Sequence, residues 1–516
     1  MTSENDTDSQ YSSCTVAFRM THVAGIDAGT QSVKVLVYDS QARRVVGAAS
    51  APLVLVEHDD GTREQQAQWW TAAIAECFSK IDPAIRRRIR ALGVSGQQHG
   101  FVPVDATGTV VAPVKLWCDT STQAECDAIM AAVGGPAACI AAAGNPILAG
   151  YTASKLAWTR THRPDAWRAM RTVLLPHDYL NFWLTGERFT EAGDASGTGW
   201  LDVRTRRWSP ELLVAIDPDR DLTACLPPLL DADASVPIHA STAAALGLSA
   251  EVRVSVGGGD NMMAAIGTGN VVPGRLTMSL GTSGTLFAHA AQPVVDDDAR
   301  WAAFCASADG WLPLICTMNC TVATETIGRL LGLDTAAREA LLAHTAPGAD
   351  GLLLLPFFNG ERTPNLPGGR GCLHGMTPSN MTPAHLVRAA MEGATCSLRS
   401  GYDALVEAGL QFDTLLLTGG GSRSAAWRQM AADMLELPVR VPVQAEGAAF
   451  GAALQASWAL QRQGGDAGTL ADLVDAHVQF DDAAAALPTD AGIDAYRTQY
   501  RAFERHLDAI APLYRG

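Results

Sequence analysis

The chain has 516 residues, 47% of them hydrophobic, and a formal net charge of −16. That is ample apolar material for two cores, yet no apolar run reaches the length needed to span a membrane, so a soluble protein is expected. The acidic balance argues against nucleic acid or an anionic membrane as partner, since either would want a basic face.

Residues 1–20 are polar, lack the apolar stretch of a signal peptide, and are expected as a disordered tail. Next comes Gly25-Ile26-Asp27-Ala28-Gly29-Thr30-Gln31-Ser32-Val33-Lys34, which reads as strand, tight turn, strand. Gly29 allows φ > 0 there, so amides and hydroxyls of Gly29, Thr30, Gln31 and Ser32 can converge on an anion. Asp27 beside a bound phosphate makes electrostatic sense only with a divalent cation between them, which implies Mg²⁺. A plain hairpin turn is the alternative. Trp70, Ile74, Cys77, Phe78 and Ile81 then mark one face of a helix that runs into the basic, solvated segment Arg86–Arg90.

Gln97-Gln98-His99-Gly100 falls between Val94 and Phe101–Val104, a polar tip between two strands. Gln and His both donate and accept, as polyol recognition requires, although a lone turn histidine is more often simply solvated. A first domain over 21–250 closes with the small-residue segment Ala240–Leu248, and a second is expected over 251–516. Val252, Val254 and Val256 alternate as a strand, Gly257-Gly258-Gly259-Asp260-Asn261 follows, and Met262–Ile266 opens a helix. Asp260 therefore sits at a strand-to-helix junction, where α/β proteins place their chemistry. It is the candidate catalytic base, with a helix cap as the other reading.

Leu276, Met278 and Leu280 lead into Gly281-Thr282-Ser283-Gly284, and Leu286 with Ala288 continue beyond it. This second strand-turn-strand follows the first by about the length of one domain, which points to a duplicated α/β unit with facing halves. Thr382-Pro383 starts a helix whose face carries Val387, Met391, Ala394, Leu398 and Tyr402. Leu415-Leu416-Leu417 runs into Gly419-Gly420-Gly421-Ser422-Arg423-Ser424 at a helix N-terminus, another resting place for nucleotide. The last helix, over 490–514, aligns Ile493, Tyr496, Tyr500, Phe503, Leu507 and Ile510 and must bury that stripe on the body or at the contact of a homodimer. Eleven cysteines without a C-x-x-C motif fit reduced thiols in the cytoplasm.

In order, Asp27-Ala28-Gly29-Thr30, Gly96-Gln97-Gln98-His99-Gly100, Gly258-Gly259-Asp260-Asn261, Leu280-Gly281-Thr282-Ser283-Gly284, Gly360-Glu361-Arg362-Thr363-Pro364 and Gly419-Gly420-Gly421-Ser422-Arg423-Ser424 resemble the motif series of the FGGY carbohydrate kinases. Tyr151–Trp158 looks like that family's first signature region, and Trp117-Cys118-Asp119 matches its Trp-x-Asp, although Trp117 also reads as a core aromatic. Gln98 stands where bacterial members often carry Met. The resemblance implies an α/β, two-domain, actin- and Hsp70-like (ribonuclease H-like) ATPase fold with a deep interdomain cleft.

It further implies transfer of phosphate from ATP, with Mg²⁺, to a primary hydroxyl of a ketose, D-xylulose being the expected acceptor. Ribulose or a polyol is the alternative within that chemistry, and a nucleotide-driven switch the alternative outside it. By the same resemblance Gln98, His99, Asp260 and Asn261 contact the sugar, Asp260 is the base, and Asp27 with Asp260 holds the metal. Asp27, Gly29, Thr30, Gly281 and Thr282 then face the phosphates, and Gly420, Gly421 and Ser424 lie toward the α-phosphate and adenine. Glu361 and Arg362 are expected as a structural ion pair beside the cleft. Because Gln98 and His99 fall in one expected domain and Asp260 and Asn261 in the other, sugar alone should partly close the cleft.

Overall fold

The computed structural model describes residues 22–514, so the expected tail lies outside the described residues. Its first sheet contains β1 (His22–Ala28), β2 (Ser32–Asp39), β3 (Arg44–Pro52), β4 (Ile89–Gly96), β5 (Ser235–Pro237) and β6 (Arg253–Ser255), in the order β3-β2-β1-β4-β6-β5. The second contains β7 (Gly274–Leu280), β8 (Gly284–Ala288), β9 (Leu314–Thr317), β10 (Phe412–Thr418) and β11 (Val439–Arg440), in the order β9-β8-β7-β10-β11.

The two orders agree over five strands, the first sheet carrying β5 in addition at its edge. In each sheet three antiparallel strands come first, and the opening strand then pairs in parallel with a later one, β1 with β4 and β7 with β10. The duplication expected from the two glycine turns is thus a repeated ribonuclease H-like topology. β1 buries Val23, Ala24 and Ile26 in a near-continuous apolar run, as a strand covered on both faces requires, whereas β7 buries Leu276, Met278 and Leu280 in alternation with polar residues, of which Thr277 is also buried.

Helices cover the sheets. α1 (Ala67–Ser79) buries Trp70, Ile74, Cys77 and Phe78 against β2 and β3, and α2 (Thr152–His162) belongs to an accessory layer on the same lobe. α3 (Asp260–Thr268) follows β6. In the second lobe α4 (Pro383–Glu407) starts on proline after Thr382, whose hydroxyl accepts the His385 N–H. α5 (Ala425–Leu435) follows the glycine turn after β10. α7 (Asp490–Ile510) packs its stripe, with Tyr496 and Phe503 fully buried, into the core of its own lobe.

Between them α6 (Gly447–Gln463) returns from the second sheet to lie on β1 and β4 of the first. It comes so close that a Cβ on Gly25 or Gly93 would fall 1.7 or 2.0 Å from a carbonyl oxygen of α6. The first lobe also extends past residue 250. β6, expected to open the second domain, pairs with β4, and Gly258–Gly259 pair with it as well, so the chain leaves the first sheet only at α3. Local alternation identifies a strand but not its hydrogen-bonding partner.

Candidate active site

Asp27, near the end of β1, and Thr30, in the turn between β1 and β2, come together here. Asp27 accepts a 2.9 Å hydrogen bond from the Ser95 hydroxyl on β4, and burial pushes its carboxyl above the usual range. Its strand partner is Lys34, which pairs with Glu446 at the start of α6 at 2.6 Å. Glu446 presses on Asp27 as a second negative charge, a neighbour that lies too far away in sequence to be suspected. Thr30 is tightly held. Its hydroxyl donates to Gln97 Oε1 at 3.0 Å and accepts from Trp117 Nε1 at 2.9 Å, while its carbonyl accepts from Gln65 Nε2 at 2.8 Å. Trp117 is therefore a half-buried wall of this turn rather than a core aromatic. Gly29 does not adopt positive φ. Its amide instead bonds the Ser32 carbonyl at 3.1 Å, so the turn closes without left-handed backbone.

Asp260 is the first residue of α3, after a backbone that only glycine permits. Gly257 has φ 71°, and a Cβ there would lie 2.4 Å from the Val94 carbonyl oxygen. Gly259 caps the helix in place of Asp260. One Asp260 oxygen, Oδ1, accepts from its neighbour's backbone N–H at 2.8 Å and from Asn261 Nδ2 at 3.0 Å. Burial first, then the negative charges of Asp27 and Asp194, push its carboxyl up to about 7. Such a group is half-ionised near neutrality and suits a proton acceptor.

Asn261 Nδ2 also donates to Gln98 Oε1 at 3.0 Å. Gln98 and Asn261, expected on different domains, therefore touch each other directly. His99 follows Gln98 with φ 64°, its ring against Tyr151 and Phe304 at centroid distances of 4.9 and 5.7 Å. Gly197 lies under it, where a Cβ would come 2.2 Å from Nδ1. Burial, with the positive charges of Lys155 and Arg362, drives the His99 imidazole down to about 3 and keeps it neutral. Behind Gln98 lies a buried acid cluster that no sequence motif marks, in which His177 bridges Asp194 at 2.6 Å and Asp178 at 3.1 Å. Polar residues inside the apolar helix Pro176–Thr185 are the only sequence signal for it.

On the other lobe Gly281 and Thr282 form the turn between β7 and β8, their carbonyls accepting from the Thr321 and Cys320 amides at 2.9 and 3.1 Å. Gly420 and Gly421 open a 3₁₀ turn after β10, and Ser424 caps α5 by accepting the Trp427 N–H at 3.0 Å. The expected pairing of Glu361 with Arg362 is replaced by other partners. Glu361 takes the backbone amides of Met318 and Arg362 and the side-chain amide of Asn319, at 2.5, 2.9 and 3.0 Å. The Arg362 side chain is left exposed, its charge felt by His99 and Tyr151.

Among the described residues no three His, Cys, Asp or Glu side chains converge into a metal cage. Asp27 with Asp260, two half-buried acids of which the first raises the proton affinity of the second, nevertheless fits Mg²⁺. That ion takes one or two carboxylates and completes its shell with water and phosphate oxygens.

Two facing ribonuclease H-like lobes are the ATPase architecture shared by sugar kinases, actin and Hsp70. Residues 22–267 match the N-terminal domain, and residues 276–460 the C-terminal domain, of the FGGY family of carbohydrate kinases. The chain belongs to this family and is an ATP-dependent carbohydrate kinase. The two matches meet where the sheet pairing divides the lobes. The chain is 41% identical over 498 residues to a xylulose kinase of Haemophilus influenzae, covering 95% of this chain and 99% of that one. It is 34% identical over 414 residues to a xylulose kinase of Escherichia coli, covering 80% and 84%. Among solved structures, one from Brucella ovis described as a xyloylose kinase superposes with a TM-score of 0.87 at 32% identity, covering 95% of this chain and 100% of that one.

Proposed function

We propose that this kinase phosphorylates D-xylulose at its primary hydroxyl to give D-xylulose 5-phosphate. The observation that carries the reading is Asp260, a buried carboxylate raised to about 7 with one oxygen engaged by Asn261, which in turn bonds Gln98, the residue before the neutral His99. The names of the similar proteins support the choice of ketose.

In the reaction the ketose hydroxyl oxygen bonds to the γ-phosphorus, the bond from phosphorus to the ADP oxygen breaks, and the hydroxyl proton passes to Asp260. Asn261 holds Asp260 by Oδ1 and leaves Oδ2 to face the hydroxyl. Its own Oδ1 accepts from the sugar, as Nδ2 is occupied by Gln98 and Asp260. His99, neutral, gives and takes hydrogen bonds with sugar hydroxyls. Thr30 on one lobe and Gly281 with Thr282 on the other position the phosphates, and Gly420, Gly421 and Ser424 lie toward the α-phosphate. Asp27 and Asp260 would hold Mg²⁺, directly or through water, and the ion when bound neutralises charge on the β- and γ-phosphates.

ADP release measured against a panel of ketoses and polyols tests the reading. The highest kcat/KM is expected with D-xylulose. A preference of tenfold or more, about 1.4 kcal/mol, for ribulose or a linear polyol would overturn the substrate assignment, and turnover indifferent to every sugar would overturn the kinase reading itself.

A further inference from the structure

Lys155 on α2 is fully buried, and the phosphoryl-transfer mechanism gives it no task. Its ammonium donates to the His99 carbonyl at 3.1 Å, to the Tyr151 carbonyl at 3.0 Å and to the Gly150 carbonyl. An ammonium has three N–H donors, and all three are spent on backbone oxygens. The acid that most offsets its burial, Asp119, is already paired with Lys115 at 2.9 Å. A buried cation satisfied by carbonyls alone is costly.

What those carbonyls have in common is their place. They belong to the two turns that present His99 and Tyr151, whose rings meet at 4.9 Å on the sugar wall. The His99 backbone is held at φ 64°, a left-handed conformation that is uncommon for residues with a Cβ. Besides Lys155, the His99 carbonyl accepts from the Thr152 hydroxyl at 3.2 Å.

We propose that Lys155 is a positioning residue of the ketose site, holding the turns of His99 and Tyr151 in the geometry that receives sugar hydroxyls, and that it does so only while protonated. Burial pushes its ammonium down to about 7, reinforced by the positive charge of Lys115 and opposed by the carboxylate of Asp119. Below that pH three donors meet three carbonyls. As pH rises through about 7 one donor is lost, and the grip on the two turns loosens. The facing thiols of Cys118 and Cys126 are raised by burial, Cys126 to about 11, and His99 is lowered to about 3, so neither competes for the same pH range.

This inference rests on the reading of His99 and Tyr151 as the sugar wall. A ketose carries no group that titrates near neutrality, so a change in its KM belongs to the protein. The ketose KM of the wild-type enzyme is expected to rise severalfold between about pH 6 and 9, whereas Lys155→Met should show a ketose KM raised about tenfold or more and flat across that range. Its ATP KM should stay within about twofold. A wild-type ketose KM flat from pH 6 to 9, or ketose and ATP KM rising together in Lys155→Met, would overturn the proposal. Should Lys155→Met fail to fold, Lys155→Arg decides, because its guanidinium stays charged across that range: a ketose KM that no longer changes between pH 6 and 9 supports the proposal, and one that still rises as in the wild type overturns it. If His99→Ala leaves the ketose KM unchanged, the sugar-wall reading fails. A strong effect there, with Lys155→Met behaving as wild type, overturns only the role of Lys155.

Discussion

Asn261 Nδ2 and Gln98 Oε1 lie 3.0 Å apart, joining the helix that carries Asp260 to the turn that carries His99. The residues proposed to bind the sugar are therefore joined within one lobe by direct protein contact. On the proposed mechanism, closure of the cleft would bring the turn of Thr282 and the Arg362 side chain from the second lobe toward the sugar residues on the first.

That relationship sets an expectation for small-angle scattering. Ketose alone should leave the radius of gyration unchanged, because it engages one lobe. Ketose together with a non-hydrolysable ATP analogue and Mg²⁺ should reduce it, since phosphates are contacted from both. Compaction by ketose alone would show that the second lobe contributes to sugar binding.

Asp260→Asn should lower kcat by about 10² or more while both KM values stay near wild type. The carboxamide oxygen can still accept from Asn261, so the geometry survives while the proton acceptor is lost. A near wild-type rate would return Asp260 to a helix-terminal role.

The pH dependence of kcat follows from the same carboxyl. Its affinity for the proton is raised to about 7 by burial and by Asp27 and Asp194, so it is protonated and inactive as a base below that pH and active above it. The rate should accordingly rise with pH through an acid limb near or below 7, Mg²⁺ shifting it lower. Measured with saturating ketose and MgATP, a limb in the ordinary carboxylate range near 4 would mean that the base is not a buried acid.

His99→Ala should raise the ketose KM at least about tenfold, because a buried hydroxyl deprived of its partner costs roughly 1–3 kcal/mol. The ATP KM should hardly move. Equal losses for both substrates, together with a lowered melting temperature, would mark His99 as structural.

Much of this was legible in the chain. The two glycine turns announced the duplicated topology, and the alternation before Gly257 placed Asp260 at its junction, because strand and turn signals are local. Pairing is not local. β6 reads as the start of a second domain until its hydrogen bonds to β4 are seen, and with that pairing Gln98 and Asn261 fall on the same lobe. Lys155, Glu446 and the cluster of His177 with Asp194 were hidden for the same reason: each meets its partner through burial and long-range contact. Glu361 with Arg362 shows the reverse failure, since adjacency in sequence suggested an ion pair that the fold replaces with backbone partners.

The central claim is transfer of the γ-phosphoryl group of ATP to the primary hydroxyl of D-xylulose with Asp260 as base, and ³¹P NMR of the reaction mixture tests it most directly. Wild-type enzyme with MgATP and D-xylulose should yield ADP and a single sugar monophosphate whose phosphorus couples to the two protons of a terminal CH₂, and Asp260→Asn should yield at most about one hundredth as much in the same time. Inorganic phosphate as the main product, or a phosphorus coupled to a single CH proton, would contradict the account.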